Sequence, residues 1–212
     1  PRAALAELTQ PARALPFKDV VQATTGYRVL ALDTNSPVHQ ELRGRLLRAA
    51  ALAADRARQQ GLSAARANEA GNQMEPLVRA TLIEAGLAAR VPTNAAGRAQ
   101  TAGYPDLEIT APAPCYLELK TYNAATANTT QRSFYYSPSA SPKITRDALH
   151  LLLAFELERA TRNGQSVLVP VRWKLLTLEN LIVDLKFEFN QSNRGLYGQP
   201  AAVLGAGRPP EK

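Results

Sequence analysis

Hydrophobic and polar positions along this chain change period from about 3.6 to 2 and back, and the changes divide it into elements. The stretch "HQELRGRLLRAAALAADRARQQG" predicts a long helix from about 38 to 60, rich in Ala, Leu and Arg and closed by Gly61. Its arginines form a solvated face. A second buried stripe runs through Met74, Leu77, Val78, Thr81, Leu82 and Ala85, spaced i, i+3, i+4, i+7, i+8 and i+11, and Gly86 ends it. Pro76 interrupts that pattern. Either a helix starts there with Glu75 near its N-cap, or a longer helix kinks near Gly71 and Pro76.

Alternation of period two then takes over. Leu107 and Ile109 alternate with Asp106, Glu108 and Thr110, and Leu117 and Leu119 with Tyr116, Glu118 and Lys120. Two half-buried antiparallel strands joined by Ala111 to Pro114 are expected. "GYRVLALD" at 26 to 33 reads as a further short strand, and "NAATANTTQRSFYYSPSASPK" as a polar, aromatic loop. "ITRDALHLLLAFELERATRNG" has a broad apolar face and is expected to be a helix stopped by Gly164. "SVLVPVRW" and "LIVDLKFEF" are expected strands, and the chain from "NQSNRGLYG" onward is loop-like.

Helices and strands in this order predict an α/β (α+β) fold with a central mixed β-sheet flanked by helices. We expect one domain over 1–212: a mainly helical N-terminal region at 1–64, a core at 65–190 and a loop-like tail at 191–212. The charge adds a partner class. Lys and Arg number 25 against 18 Asp and Glu, a formal +7, which favours an anionic partner. One cysteine, Cys115, excludes an internal disulfide framework, and two histidines, His39 and His150, disfavour a zinc site. Any metal is therefore expected to be a hard cation held by carboxylates. No apolar run approaches the roughly 18 to 20 residues that span a bilayer, so a soluble, intracellular protein is expected.

The hairpin carries the candidate chemistry. For the apolar faces of its strands to coincide, Asp106 must lie opposite Glu118 or Lys120, leaving a loop of three or five residues between the last pair. Either register collects Asp106, Glu118 and Lys120 on one face. Two carboxylates that close repel unless a cation sits between them, so the face is suited to Mg²⁺. A surface hairpin with ordinary cross-strand ion pairs satisfies the same spacing.

Pro105-Asp106, eleven intervening residues and Glu118-Leu119-Lys120 resemble the PD-(D/E)xK motif of the nuclease superfamily that includes most type II restriction endonucleases. The resemblance spans about residues 65–190 and implies a restriction-endonuclease-like core. It also implies that Asp106 and Glu118 bind one or two Mg²⁺ ions and that Lys120 positions or activates the attacking water. In that family a preceding helix often supplies another acid. "NEAGNQMEPLVRATLIEAG" resembles that helix, which makes Glu75 the expected third acid and Glu69 its reserve.

The implied reaction is phosphodiester hydrolysis of double-stranded DNA, leaving a 5′-phosphate and a 3′-hydroxyl, by a homodimer in a prokaryotic cytoplasm. DNA contacts are expected from Arg132, Ser137, Ser139 and Lys143, and from Gln191, Asn193 and Arg194, whose side chains suit adenine and guanine edges. His150 and Trp173 are expected to be packed residues. A junction resolvase or repair nuclease of the same superfamily is the second reading, and a non-catalytic DNA-binding protein the third.

Overall fold

The computed structural model describes residues 10–130, 133–187 and 192. The chain divides into two compact units, Leu15–Val183 and the combined ends Pro1–Ala14 with Asp184–Lys212. In the second unit, the Leu185 N–H donates to the Ala12 carbonyl over 2.8 Å and the Ala14 N–H to Asp184 Oδ1 over 2.9 Å. The candidate chemistry lies in the first unit.

The described residues of that unit form three α-helices, α1 (Phe17–Thr25), α2 (Pro37–Gln60) and α3 (Gly71–Glu84). Its strands are β1 (Leu15–Pro16), β2 (Val29–Leu30), β3 (Ala89–Arg90), β4 (Leu107–Ile109), β5 (Cys115–Asn123), β6 (Ala148–Arg162), β7 (Gln165–Thr177) and β8 (Ile182–Val183). Helix α2 starts with Pro37 at its first turn, where a missing N–H costs nothing, and ends at Gly61 as expected. Helix α3 is continuous through Pro76 and buries Met74, Val78, Thr81 and Leu82 of the predicted stripe, with Leu77 and Ala85 half-buried.

The central sheet has the order β2-β6-β5-β4-β3, with β7 also paired to β6. β6 lies parallel to β2 and β5, whereas β3/β4, β4/β5 and β6/β7 are antiparallel, so the sheet is mixed. Leu107, Leu117, Leu151, Leu153 and Phe155 cover one face and pack with Leu42, Leu46, Met74, Val78 and Leu82 of α2 and α3. Tyr116, Ala148 and the half-buried Leu152 form the other, under Phe17 and Val21 of α1. The sheet flanked by helices that the sequence predicts is therefore present. No helix among the described residues is long and apolar enough to cross a membrane.

Two expected elements differ. Residues 148–162 form the central strand β6, not a helix. "ALHLLLAFEL" is buried on both faces because β5 and β7 pair with it edge to edge while helices cover it above and below. A continuous apolar run fits a buried strand as well as a buried helix, and pairing on both edges overrides the helical preference of leucine. Asn163-Gly164, read as a helix stop, is instead a two-residue hairpin turn between the paired Arg162 and Gln165. Both turn residues have positive φ, 50° and 77°, the conformation that Asn-Gly favours. In "LIVDLKFEF" only Ile182–Val183 is strand, paired with Leu15–Pro16. Residues 184–187 carry none, and 188–189 lie outside the described residues.

Candidate active site

β4 and β5 pair through Leu107↔Leu117, Glu108↔Tyr116 and Ile109↔Cys115. Extending that register sets Asp106 opposite Glu118, the first of the two expected pairings, with five residues left between Ile109 and Cys115. Alternation then brings Asp106, Glu118 and Lys120 to one face, away from α2 and α3. The Leu119 N–H donates to Asp106 Oδ2 over 2.7 Å, so the carboxylate is fastened to the neighbouring strand through one oxygen.

Glu118 is buried, and its two oxygens differ. Oε1 is ion-paired with the Lys120 ammonium, two residues along the same strand, while Oε2 is buried without a hydrogen-bond partner. Burial pushes the Glu118 carboxyl up to about 7, Asp106 adds to the rise, and Lys120 and Lys143 oppose it. A carboxylate in this condition is under-neutralised. Glu75, half-buried on α3, is also raised, first by burial and then by the charge of Asp106, with Arg79 and Lys143 acting the other way. Glu75 thus lies within the electrostatic reach of Asp106. Glu69 is exposed and pairs with Arg66 at 3.9 Å.

Lys143, expected among the DNA-contacting side chains of its loop, is buried instead. Its ammonium donates to the carbonyl oxygens of Gly103 and Thr101, just upstream of Asp106. Burial lowers its pKa, and Asp106, Glu118 and Glu75 raise it, which places it in the field of all three acids. The sequence offered no sign of this, since Lys143 is distant along the chain from every acid it serves. Ser137 and Ser139 are exposed on the loop and line a small pocket with Gly103, Tyr104 and Lys143. Arg132, Gln191, Asn193 and Arg194 lie outside the described residues.

An aromatic cluster adjoins the acids. Tyr104, Phe134 and Tyr136 pack edge-on around Phe17, with ring centroids 5.2–5.6 Å apart. His150 lies beside them, as packed as expected but on β6, and its Nδ1 is 2.7 Å from the Tyr104 hydroxyl. Trp173 is half-buried on β7, opposite Phe155.

Could the acids hold a hard cation? Among the described residues no three His, Cys, Asp or Glu side chains converge closely enough to surround a metal ion. Mg²⁺ demands less, because it keeps several waters and commonly takes only one or two carboxylates. Asp106 and Glu118 supply two hard-oxygen ligands, and the orphaned Glu118 Oε2 lacks the counter-charge a cation would provide. The donor set therefore fits Mg²⁺.

Comparison with known proteins gives the family. The family model for the Type II restriction enzyme MjaV family matches residues 11–200. A protein of Methanocaldococcus jannaschii named Type II restriction enzyme MjaV is 30% identical over 210 residues, covering 91% of this chain and 89% of its own length. No solved structure matches.

Proposed function

The chain belongs to the type II restriction enzyme MjaV family, and on that premise we propose that it uses Mg²⁺ to hydrolyse double-stranded DNA at one short sequence. The observation that carries the reading is the meeting of Asp106 and buried Glu118 on one sheet face, with the Lys120 ammonium paired to Glu118. Asp106 and Glu118 would hold the cation, with Glu75 of α3 as a further acid. Mg²⁺ held there would supply charge to polarise the scissile phosphate and to lower the pKa of a water.

The chain's own groups do the rest. The Leu119 N–H holds one Asp106 oxygen and so orients the other. Lys120 has three N–H donors; Glu118 occupies one, leaving two for a water or a phosphate oxygen. Its positive charge offsets the negative charge that develops at phosphorus, most strongly where water is excluded. Lys143 keeps the segment before Asp106 in place through two carbonyls. A homodimer would supply two such centres, one for each DNA strand.

The test is incubation with Mg²⁺ and a long duplex of known sequence. Discrete fragments are expected, and Asp106→Ala or Lys120→Ala should abolish them while duplex binding persists. Cutting confined to branched or mismatched DNA, or unimpaired cleavage by either variant, would overturn the assignment.

A further inference from the structure

Glu108 lies two residues beyond Asp106, on the same sheet face, and is buried with its side chain 5% exposed. Two guanidiniums reach it from separate elements. Arg90 of β3 brings Nε and an Nη nitrogen each to 3.0 Å from Oε2, and Arg146, from the segment before β6, lies 3.1 Å from Oε1. Other ion pairs in the described residues, such as Arg28–Asp147, Arg45–Glu41 and Arg56–Glu84, join one arginine to one acid.

The second arginine exceeds what Glu108 requires. A buried carboxylate needs one well-placed partner to offset its desolvation, and Arg90 already meets it through two nitrogens. The group of three therefore carries a surplus positive charge. Arg146 is close to Oε1, yet Oε1 has no aligned hydrogen bond, so the donors of Arg146 are not committed to it. Both arginine side chains remain about half exposed, at 54% and 46%. Glu108 acts as a buried post that holds two open guanidinium forks at the surface, the geometry suited to phosphate oxygens.

Its placement narrows which phosphate. Two residues of strand advance about 6.6 Å, so Glu108 and its arginine pair stand beside a phosphate held over Asp106 and Glu118 rather than upon it. From this the geometry points to Arg90 and Arg146, aligned by Glu108, as a binding subsite for a DNA backbone phosphate flanking the scissile one. The inference rests on the nuclease reading and extends it to residues outside the acidic motif.

The experiment measures equilibrium binding to two short duplexes of unrelated sequence across a salt series, with EDTA present to prevent cleavage. Each lost phosphate contact should reduce the slope of log K against log salt by about 0.9. Arg90→Gln and Arg146→Gln are expected to show that reduction and equal weakening on both duplexes. Arg90→Lys and Arg146→Lys, which keep the charge, should retain the slope, as should Arg56→Gln on the opposite side of the sheet. An unchanged slope in the Gln variants, loss of slope in the Lys variants, or weakening on one duplex alone would overturn the proposal. If the unaltered protein bound neither duplex, the nuclease reading would fail and this subsite with it.

Discussion

Glu118 is expected to cost the metal-free protein stability in return for its chemistry, and Glu118→Gln tests this. Burial and the facing Asp106 push its carboxyl from the ordinary 4.5 to about 7, even with Lys120 paired to it. Between those values the folded protein binds a proton that the unfolded chain has released, so stability falls as pH rises through this window. Below it the group is neutral in both states and contributes nothing. At about 1.4 kcal/mol per pH unit, full ionisation above pH 7 opposes folding by about 3 kcal/mol.

Replacing the carboxylate by the isosteric amide removes that charge. The amide NH₂ inherits the partnerless position of Oε2, and an unsatisfied buried donor costs about 1–3 kcal/mol, so a net gain of about 1 kcal/mol is expected. For a chain of this size that is about 2–4 °C in Tm. Thermal unfolding in EDTA should show Glu118→Gln melting above the unaltered protein near pH 8, with the advantage gone near pH 4.5. Saturating Mg²⁺ should reverse the order at pH 8, because binding to the folded state stabilises only the protein that retains the ligand. An equal or lower Tm for the variant in EDTA at pH 8, or a difference that ignores pH, would refute the reasoning.

The buried His150 should act in the opposite sense. Its pKa is lowered by burial from 6.5 to about 3, so on acidification the unfolded chain gains a proton while the folded one does not, and stability is lost as pH falls below 6.5. His150→Gln, which stays neutral, should shrink the difference in unfolding free energy between pH 6.5 and pH 5 by about 2 kcal/mol in urea titrations, and an undiminished difference would contradict this. Gly61→Ala should destabilise by about 1–3 kcal/mol. The position has φ +74°, and an added Cβ would stand 2.9 Å from Val167 Cγ2; a variant with unchanged Tm would show that the turn relaxes freely.

Much of the hairpin chemistry was legible because it is local. Alternation around Leu107, Ile109, Leu117 and Leu119 restricts the register to two, and both put Asp106, Glu118 and Lys120 on one face. Only the pairing Leu107↔Leu117 selects between them. The long helix was equally legible, since its apolar stripe, Pro37 and Gly61 agree with one another.

What misled the reading was β6. Its leucines satisfy a buried helix and a buried strand alike, and the Asn-Gly turn that distinguishes them carries its meaning only when both flanking runs are taken as strands. Arg132, Gln191, Asn193 and Arg194 rest on side-chain chemistry alone, which names residues able to touch DNA without locating them, and they lie outside the described residues.

By itself, then, the amino-acid sequence determined the periodicities, the hairpin face with its acids and lysine, and the class of chemistry those groups suit. Tertiary structure decided the rest. It made β6 a central strand by pairing both its edges, gathered Lys143 against three acids far from it along the chain, and joined Arg90 and Arg146 at Glu108. The physical reason is range: alternation and capping act over a few residues, whereas edge pairing, burial of charge and electrostatic fields depend on segments that meet only when the chain folds.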